Sequence, residues 1–294
     1  MPSTVASLDF LSRSPLYQEE KPYHVFLSVD QKMPTDDNLV LTNVQWQPQE
    51  VVIRDTRDHG PSKLEESGFE VIKHSFIEPL DINTAQSRIA YLAEVTAFLE
   101  GRLYPRPEFI VPIECKVVRR NMPIKANLAY DVNNALAIEG VPVGVHDYSL
   151  DRLQDLIFKT LTPTQREKYM TSEYSVKVIN TWRPLLPVVE DRPLAFCDYR
   201  SIDPDDLVPV DNVFPHKSQE LYYLHYNPDQ QWFWTSKQKK DEVLLMIMFD
   251  SETGGNARYC PHVSFQDPDC AKSAPPRQSV ETRTIVFQPR RSSE

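Results

Sequence analysis

The segment Val145-His146-Asp147-Tyr148-Ser149 places an imidazole beside a carboxylate, two of the side-chain types that hold non-haem iron. Mononuclear iron that activates dioxygen is bound by two histidines and one carboxylate on one face, and the other positions stay open. The first two ligands usually follow the pattern His-x-Asp on a strand, because residues i and i+2 share a face. In this chain His146 and Asp147 are adjacent, and Val145 occupies the position expected for the proximal histidine.

Two geometries of this segment remain open. If the strand is regular and Asp147 faces the metal, its neighbour on that face is Val145, and the site is degraded because valine cannot bind a metal. A one-residue deletion or a β-bulge would instead turn His146 inward beside Asp147, because bulges re-aim side chains near active sites. Both geometries keep Asp147 as a predicted metal ligand, and the second adds His146.

The C-terminal part of the chain supplies residues that would complete such a site. His262 follows Asp147 by about 115 residues and lies in a β region beside Pro261, so it is a candidate for the distal metal ligand, with a structural histidine as the alternative. Further along, Arg277 and Ser279 form an Arg-x-Ser pattern, in which a guanidinium can bind a carboxylate in a bidentate pair and a hydroxyl adds a hydrogen bond. This pair is suited to 2-oxoglutarate, and Arg283 is a second candidate for the same role.

Composition restricts the classes of partner. The net charge of −10 argues against binding to nucleic acid or to an anionic membrane surface. No apolar run approaches the ~20 residues of a membrane span, and no secretory signal is visible, so we expect a cytoplasmic protein. Four scattered cysteines include no Cys-x-x-Cys pair, which argues against a structural zinc site. The absence of a Gly-x-Ser-x-Gly motif disfavours a serine hydrolase.

The elements that must position these residues follow from hydrophobic periodicity. A helix is predicted over residues 83–104, with Asn83 or Thr84 as its N-cap and Pro105 as its stop. Two more helices are predicted at 150–160 and from Thr162 onward, and residues 131–138 are predicted as helical or irregular. Residues 1–21 and 290–294 are expected to be loosely held ends. The predicted strands are 23–29, 43–46, 50–55, 68–74, 108–120, 174–181, 194–199, 220–226, 231–234, 242–249 and 283–287.

Several helices on an otherwise β chain favour a double-stranded β-helix, that is, a cupin-like jelly roll with flanking helices, although composition alone does not distinguish it from another α+β fold. We expect a single domain over residues 1–294, because all-β folds often reach this length undivided. Its jelly-roll core should cover roughly 108–288, with the N-terminal strands and the helix at 83–104 against it.

Four segments carry a resemblance to a known family. They are Asn180-Thr181-Trp182-Arg183-Pro184, residues 193–198, residues 241–245 with 249–251, and the most specific one, residues 261–265 continuing to 274–283. Together they resemble the gibberellin desaturase-like oxygenases of fungal and bacterial secondary metabolism, which are related to the cephalosporin 7α-methoxylase subunit. The resemblance covers most of the chain from about residue 117 to residue 287.

The resemblance implies a jelly roll that uses Fe(II) and 2-oxoglutarate to hydroxylate, desaturate or rearrange natural products. It aligns Asp147 with the carboxylate ligand, His262 with the distal histidine, and Arg277 and Ser279 with the 2-oxoglutarate anchors, while Val145 replaces the proximal histidine. It also implies a dimer, either a homodimer or a heterodimer with a homologous oxygenase subunit.

Three functions follow from these residues. The chain is a degraded structural partner of an intact paralogue, an active dioxygenase that uses His146, Asp147 and His262, or a jelly roll that only binds a small molecule. The aromatic residues Trp182, Trp232, Phe233 and Trp234 suit either a hydrophobic polycyclic ligand, such as a terpenoid, meroterpenoid or polyketide, or the core.

Overall fold

The computed structural model describes residues 3–28, 40–60, 62–76, 82–119, 129–130, 138–139, 144–215, 217–252 and 254–290. Within this part the helices are α1 (Leu64–Ser67), α2 (Ala85–Arg102), α3 (Leu150–Thr160) and α4 (Pro163–Tyr169). The strands are β1 (Thr4–Leu11), β2 (Tyr23–Val25), β3 (Leu27–Ser28), β4 (Trp46–Asp55), β5 (Phe69–Lys73), β6 (Phe109–Arg119), β7 (Ala129–Tyr130), β8 (Ile138–Glu139), β9 (His146–Tyr148), β10 (Tyr174–Pro184), β11 (Leu194–Cys197), β12 (Leu207–Phe214), β13 (Lys217–Leu224), β14 (Trp232–Trp234), β15 (Glu242–Asp250), β16 (His262–Ser264) and β17 (Gln278–Pro289).

Two large sheets carry the fold in the described residues. The first has nine strands in the order β1-β4-β14-β11-β16-β9-β13-β12-β2, and the second has six in the order β5-β15-β10-β17-β6-β8. Within the second sheet, β10 and β17 pair antiparallel over their length, from Tyr174 opposite Pro289 to Pro184 opposite Ser279. Strands that are distant in sequence are therefore neighbours in space, which brings the C-terminal segment against the middle of the chain.

The main hydrophobic core lies between the two sheets. Alternate residues of β10, such as Val178 and Trp182, contribute to it from the six-stranded sheet, and Phe196 and Phe233 contribute from the nine-stranded sheet. Side chains alternate between the two faces of a strand, so the neighbouring residues face outward. In the six-stranded sheet these outward residues, including Ile179 and Leu245, belong to the cluster that also contains Tyr91, Val95 and Leu99 of α2.

The predicted packing helix is present as α2. Thr84 is its N-cap, and its side chain accepts a hydrogen bond from the backbone N–H of Ser87, whose own side chain accepts from the Thr84 N–H. This reciprocal capping satisfies two backbone donors that a helix start leaves without partners. The helices predicted at 150–160 and from Thr162 are also present, as α3 and α4. The chain is mainly β with flanking helices, as predicted.

The N-terminal segment differs from its prediction. Residues 4–11 form β1, which pairs with β4 along its whole length, from Thr4 opposite Ile53 to Leu11 opposite Trp46. Ala6, Leu8 and Phe10 are buried on one face while Ser7 and Asp9 lie on the other. This period-two pattern was present in the sequence, so the expectation of a loosely held end at residues 1–21 was wrong for β1.

Two further differences concern short elements. Strand β12 was not predicted, because Pro209 and Asp211 interrupt its apolar residues and proline in a run argues against a strand. Most of the segment predicted as helical or irregular, residues 131–137, lies outside the described residues. None of the helices in the described part of the chain is long and apolar enough to cross a membrane.

Candidate metal centre

The histidines predicted as metal ligands lie side by side. His146 on β9 is the cross-strand neighbour of His262 on β16, and their ring centroids are 4.8 Å apart. Both imidazoles share a face with Phe196 and Tyr148, which belong to the core between the sheets. The structure therefore brings two of the three predicted ligands together inside the barrel.

Both imidazoles are held in the same orientation and charge state. The Nδ1 atom of His146 lies 3.0 Å from the carbonyl oxygen of Gly144, and that of His262 lies 2.8 Å from the carbonyl oxygen of Cys260. Because a carbonyl only accepts, each Nδ1 carries the proton and each Nε2 keeps its lone pair. Burial lowers the pKa of each histidine to about 4, so both are neutral near pH 7, the form that binds metals.

Asp147 points to the opposite face of the same strand. Its Oδ1 accepts a hydrogen bond of 2.6 Å from the backbone N–H of Tyr148, and its Oδ2 accepts one of 2.6 Å from the backbone N–H of Cys260. The carboxyl group is fully buried, and burial raises its pKa to about 8 despite these two bonds. Asp147 thus ties β9 to the segment before β16, on the side of the sheet away from the imidazoles.

The local geometry corresponds to neither of the two expected arrangements. Strand β9 pairs regularly with β13, since Tyr148, Asp147 and His146 lie opposite Leu221, Tyr222 and Tyr223 without a bulge. Val145 belongs to the outer cluster with Leu8 and Val263, as expected for the residue that shares a face with Asp147. His146 therefore occupies the inward position, and the inward residue two places later is Tyr148.

Tyr148 occupies the place where a His-x-Asp pattern beginning at His146 would put the carboxylate. Two guanidinium groups lie over its ring, with Arg283 at 3.7 Å and Arg152 at 4.7 Å from the ring centroid. Arg283 also forms an ion pair of 2.8 Å with Glu114. Although burial acts to raise the pKa of Glu114, Arg283 and Lys116 lower it to about 2, so this carboxylate is engaged with cations.

The residues that flank β9 explain how this short strand is held in its orientation. Gly144 adopts a φ of +79°, and a Cβ atom there would lie 2.2 Å from the ring of Trp46. Only glycine fits this turn, and its carbonyl is the acceptor for His146. On the other side, the Ser149 side chain accepts from the backbone N–H of Arg152 and caps α3. A fixed turn and a helix start therefore hold the three-residue strand.

The predicted 2-oxoglutarate anchors are buried on or beside β17. Arg277 is 2% exposed, and its Nη1 donates to the carbonyl oxygen of Arg192 at 2.8 Å. The Nε atom of Arg277 and the hydroxyl of Ser279 have no hydrogen-bond partner among the described residues. Burial lowers the pKa of Arg277 to about 10, so its charge is poorly solvated. These groups fit an incoming carboxylate, whereas Arg283 is already paired with Glu114.

One interior carboxyl group was missed by the sequence reasoning. Glu281 shares the inward face of β17 with Arg283, and its Oε1 accepts a 2.7 Å hydrogen bond from the side chain of Asn180. Its charge acts to raise the pKa of both His146 and Arg277, so the carboxyl group lies near both of them. The strand predicted at 283–287 began too late to reveal that Glu281 and Arg283 face the same way.

The side chains present do not fit an iron ion of the two-histidine, one-carboxylate type. In the part of the chain that the structure describes, no three His, Cys, Asp or Glu side chains lie close enough together to hold a metal. Two neutral imidazoles remain. The Arg283 guanidinium acts on His262 and would repel a cation. The Glu281 carboxyl near His146 is hydrogen-bonded to Asn180. We derive no chemical step through iron in this chain.

Comparison with known proteins gives one family over nearly the whole chain. Residues 8–287 match the model described as "Oxidoreductase/YMDC permease-like domain". The chain is 25% identical over 262 residues to the hydroxylase/desaturase efuI of Hormonema carpetanum, a match that covers 84% of this chain and 86% of that protein. It is 36% identical over 118 residues to the gibberellin cluster GA4 desaturase of Gibberella fujikuroi, covering 36% of this chain and 33% of that one.

A third relative is similar in sequence and in structure. The Fe(II)/2-oxoglutarate-dependent dioxygenase nvfI of Aspergillus novofumigatus is 38% identical over 113 residues, which cover 38% of this chain and 40% of nvfI. The solved structure of the iron and alpha-ketoglutarate-dependent endoperoxidase NvfI superposes with a TM-score of 0.81 at 24% identity, over 98% of this chain and 99% of that one. This similarity shows the fold, and the predicted jelly roll is confirmed.

Proposed function

This chain belongs to the oxidoreductase family whose model matches residues 8–287, and we propose that it acts there as a non-catalytic subunit of an Fe(II)/2-oxoglutarate-dependent oxygenase. The predicted resemblance to gibberellin desaturase-like oxygenases is confirmed, because its relatives are fungal hydroxylases, desaturases and 2-oxoglutarate-dependent dioxygenases. The proposed partner is a homologous subunit with a complete set of iron ligands. Their joint substrate would be a fungal natural product of the terpenoid, meroterpenoid or polyketide class.

The observation that carries this proposal is the direction of the Asp147 carboxylate. It is buried on the face opposite to His146 and His262 and is engaged with two backbone N–H groups. Turning it toward the imidazoles would break both bonds and leave two buried donors without acceptors, at a cost of about 1–3 kcal/mol for each. A two-histidine site without this carboxylate should hold iron weakly.

The interior also argues against an assembled iron site. Tyr148 fills the position of the missing ligand, and the Arg283 guanidinium lies over its ring. Arg283 acts to lower the pKa of His262, so its positive charge disfavours a cation beside that imidazole. A second cation at this place would add to the repulsion. The fold nevertheless superposes on that of NvfI over 98% of this chain, which suits a subunit that shapes or stabilises its partner.

Co-expression with an intact paralogue tests the proposal. We expect the two chains to co-elute as a heterodimer in size-exclusion chromatography, and turnover of a natural-product substrate with 2-oxoglutarate to need the paralogue. Turnover should survive the change His262→Ala in this chain and should be lost on the matching change in the paralogue. Full activity of this chain alone, removed by His146→Ala, would overturn the proposal and support an active dioxygenase using His146, Asp147 and His262.

A second candidate function is binding of a small dicarboxylate without oxidation. It is favoured by the buried Arg277 Nε and Ser279 hydroxyl, which have no hydrogen-bond partner among the described residues. Of the four aromatic residues considered for a polycyclic ligand, Trp182 and Phe233 line the space between the sheets, whereas Trp232 and Trp234 belong to the outer cluster. The space between the sheets therefore offers a polycyclic ligand fewer aromatic contacts than predicted. Its polar groups fit a small dicarboxylate better.

Calorimetric titration with 2-oxoglutarate in the presence of a chelator measures this binding. We expect a metal-independent site that Arg277→Met weakens at least about tenfold, because a bidentate charged pair contributes about 1.5–3 kcal/mol. The matched control Arg106→Met removes an exposed arginine and should leave binding unchanged. Equal binding to both variants would show that Arg277 is not the anchor.

A further inference from the structure

A cavity lies on the outer side of the nine-stranded sheet, away from the histidine pair. It has a volume of about 250 Å³, and its wall includes Tyr199, Tyr222, Tyr259, Leu207 and Arg258. Tyr222 is the cross-strand neighbour of Asp147, so its side chain lies on the face that Asp147 shares and the imidazoles do not. The cavity is therefore separated from the barrel interior by the sheet itself.

Three of the seven residues that line this cavity are tyrosines. Tyr199 and Tyr259 meet edge to face, with ring centroids 4.8 Å apart and an interplanar angle of 62°. Leu207 at the start of β12 and Leu150 at the start of α3 add apolar surface. Aromatic rings favour stacked or edge-on contacts with another ring, so this wall suits a planar aromatic ligand.

The polar groups of the cavity select the charge of the ligand. Arg258 is the charged residue of the lining, and its Nε donates to the carbonyl oxygen of Asp250 at 3.3 Å. It forms no ion pair with a carboxylate among the described residues. Burial raises the pKa of Tyr222 and of Tyr259, so both phenols stay protonated and can donate hydrogen bonds. A guanidinium and phenolic donors together favour an anion.

The volume limits the size of the ligand. A protein cavity of about 150 Å³ holds benzene, and sites for drug-sized molecules measure about 300–1,000 Å³. A cavity of about 250 Å³ is therefore suited in size to one substituted ring. We propose that this cavity is a binding site for a small aromatic carboxylate, whose ring packs on Tyr199 and Tyr259 and whose carboxylate pairs with Arg258. This site is independent of the proposed subunit role.

Titration of the full-length chain with 4-hydroxybenzoate, followed by calorimetry and by ligand-observed NMR, tests the site. We expect a sub-millimolar dissociation constant, on the order of 0.1–1 mM for a ligand of this size. The neutral analogue 4-hydroxybenzamide and the variant Arg258→Met should each weaken binding at least about tenfold. The variant Leu207→Trp should block it by filling the cavity.

Arg200→Met is the matched control, because Arg200 is an exposed arginine near the same loop that pairs with Asp198 rather than lining the cavity. It should bind 4-hydroxybenzoate as the unmodified chain does. The proposal is overturned if 4-hydroxybenzoate does not bind, or if the Arg258→Met and Leu207→Trp variants both bind it normally. If Leu207→Trp fails to fold, the comparison of acid with amide and the Arg258→Met variant still decide the question. The outcome of this titration does not depend on whether the chain pairs with a paralogue. Either proposal can therefore fail without the other.

Discussion

Replacing Tyr148 with aspartate is expected to raise the affinity of this chain for Fe(II) by at least about tenfold. The change creates a His-x-Asp pattern from residues 146 and 148, whose side chains share the inward face of β9 beside His262. It supplies the carboxylate that a two-histidine iron site lacks. Changing a hydrogen-bond partner of a metal ligand already alters affinity about 10–100-fold, so adding a direct ligand should do at least as much.

Anaerobic Fe(II) titration of the unmodified chain and of three variants measures this effect. The unmodified chain should show no tight stoichiometric binding. Tyr148→Asn is matched in size to the aspartate variant but lacks its charge, and it should gain little. Val145→His restores the histidine that the alignment places at that position, yet it should also gain little, because residue 145 is fully buried on the opposite face. A gain with Val145→His and none with Tyr148→Asp would show that β9 is turned the other way.

Removing the Asp147 carboxylate is expected to destabilise the fold without changing metal binding. In Asp147→Ala the backbone N–H groups of Tyr148 and Cys260 lose their side-chain acceptor inside the protein. Each buried donor left unsatisfied costs about 1–3 kcal/mol, so with two donors the free energy of unfolding should fall by about 2–6 kcal/mol. Asp147→Asn keeps one acceptor oxygen and should lose about half as much. Urea denaturation of the three proteins at pH 7 measures the differences.

The pH dependence of the same variants gives an independent check. Because burial raises the pKa of Asp147 to about 8, the folded protein holds a proton that the unfolded chain, with a carboxyl pKa near 4, releases. The contribution of this group to stability is therefore present at low pH and declines as the pH rises from about 4 to about 8. The stability deficit of Asp147→Asn should shrink over that interval. A deficit that stays constant would show that Asp147 is ionised throughout, with its two hydrogen bonds outweighing burial.

Much of the fold could be predicted from the sequence, because its helices and strands are marked by local sequence patterns. Helix α2 carries apolar residues at helical spacing and a threonine cap, and β10, β15 and β17 carry long β-rich runs. Strand β12 was missed because a proline and two polar residues mask its pattern. Strand β1 was missed because its short alternation lies at the chain terminus, where loose structure is the usual expectation.

Only part of the site could be predicted from the sequence, because its decisive feature is the face to which each side chain of β9 points. Sequence spacing identified His146 and His262, and the structure brings their rings together. It could not show that Asp147 would bond to the backbone of a segment more than 100 residues away. It also could not show that Arg283 would lie over Tyr148, since that contact joins opposite sheets. Both facts depend on tertiary packing rather than on local pattern.

The link from Asp147 to the backbone of Cys260 has a consequence for how this chain responds to the supply of iron. Proteins whose strands are joined through a metal lose stability when that metal is withdrawn, because binding energy is also folding energy. Here β9 and the start of β16 are joined by hydrogen bonds that are complete without any ion. The chain should therefore melt at the same temperature with and without a strong chelator, and it should accumulate normally in cells starved of iron.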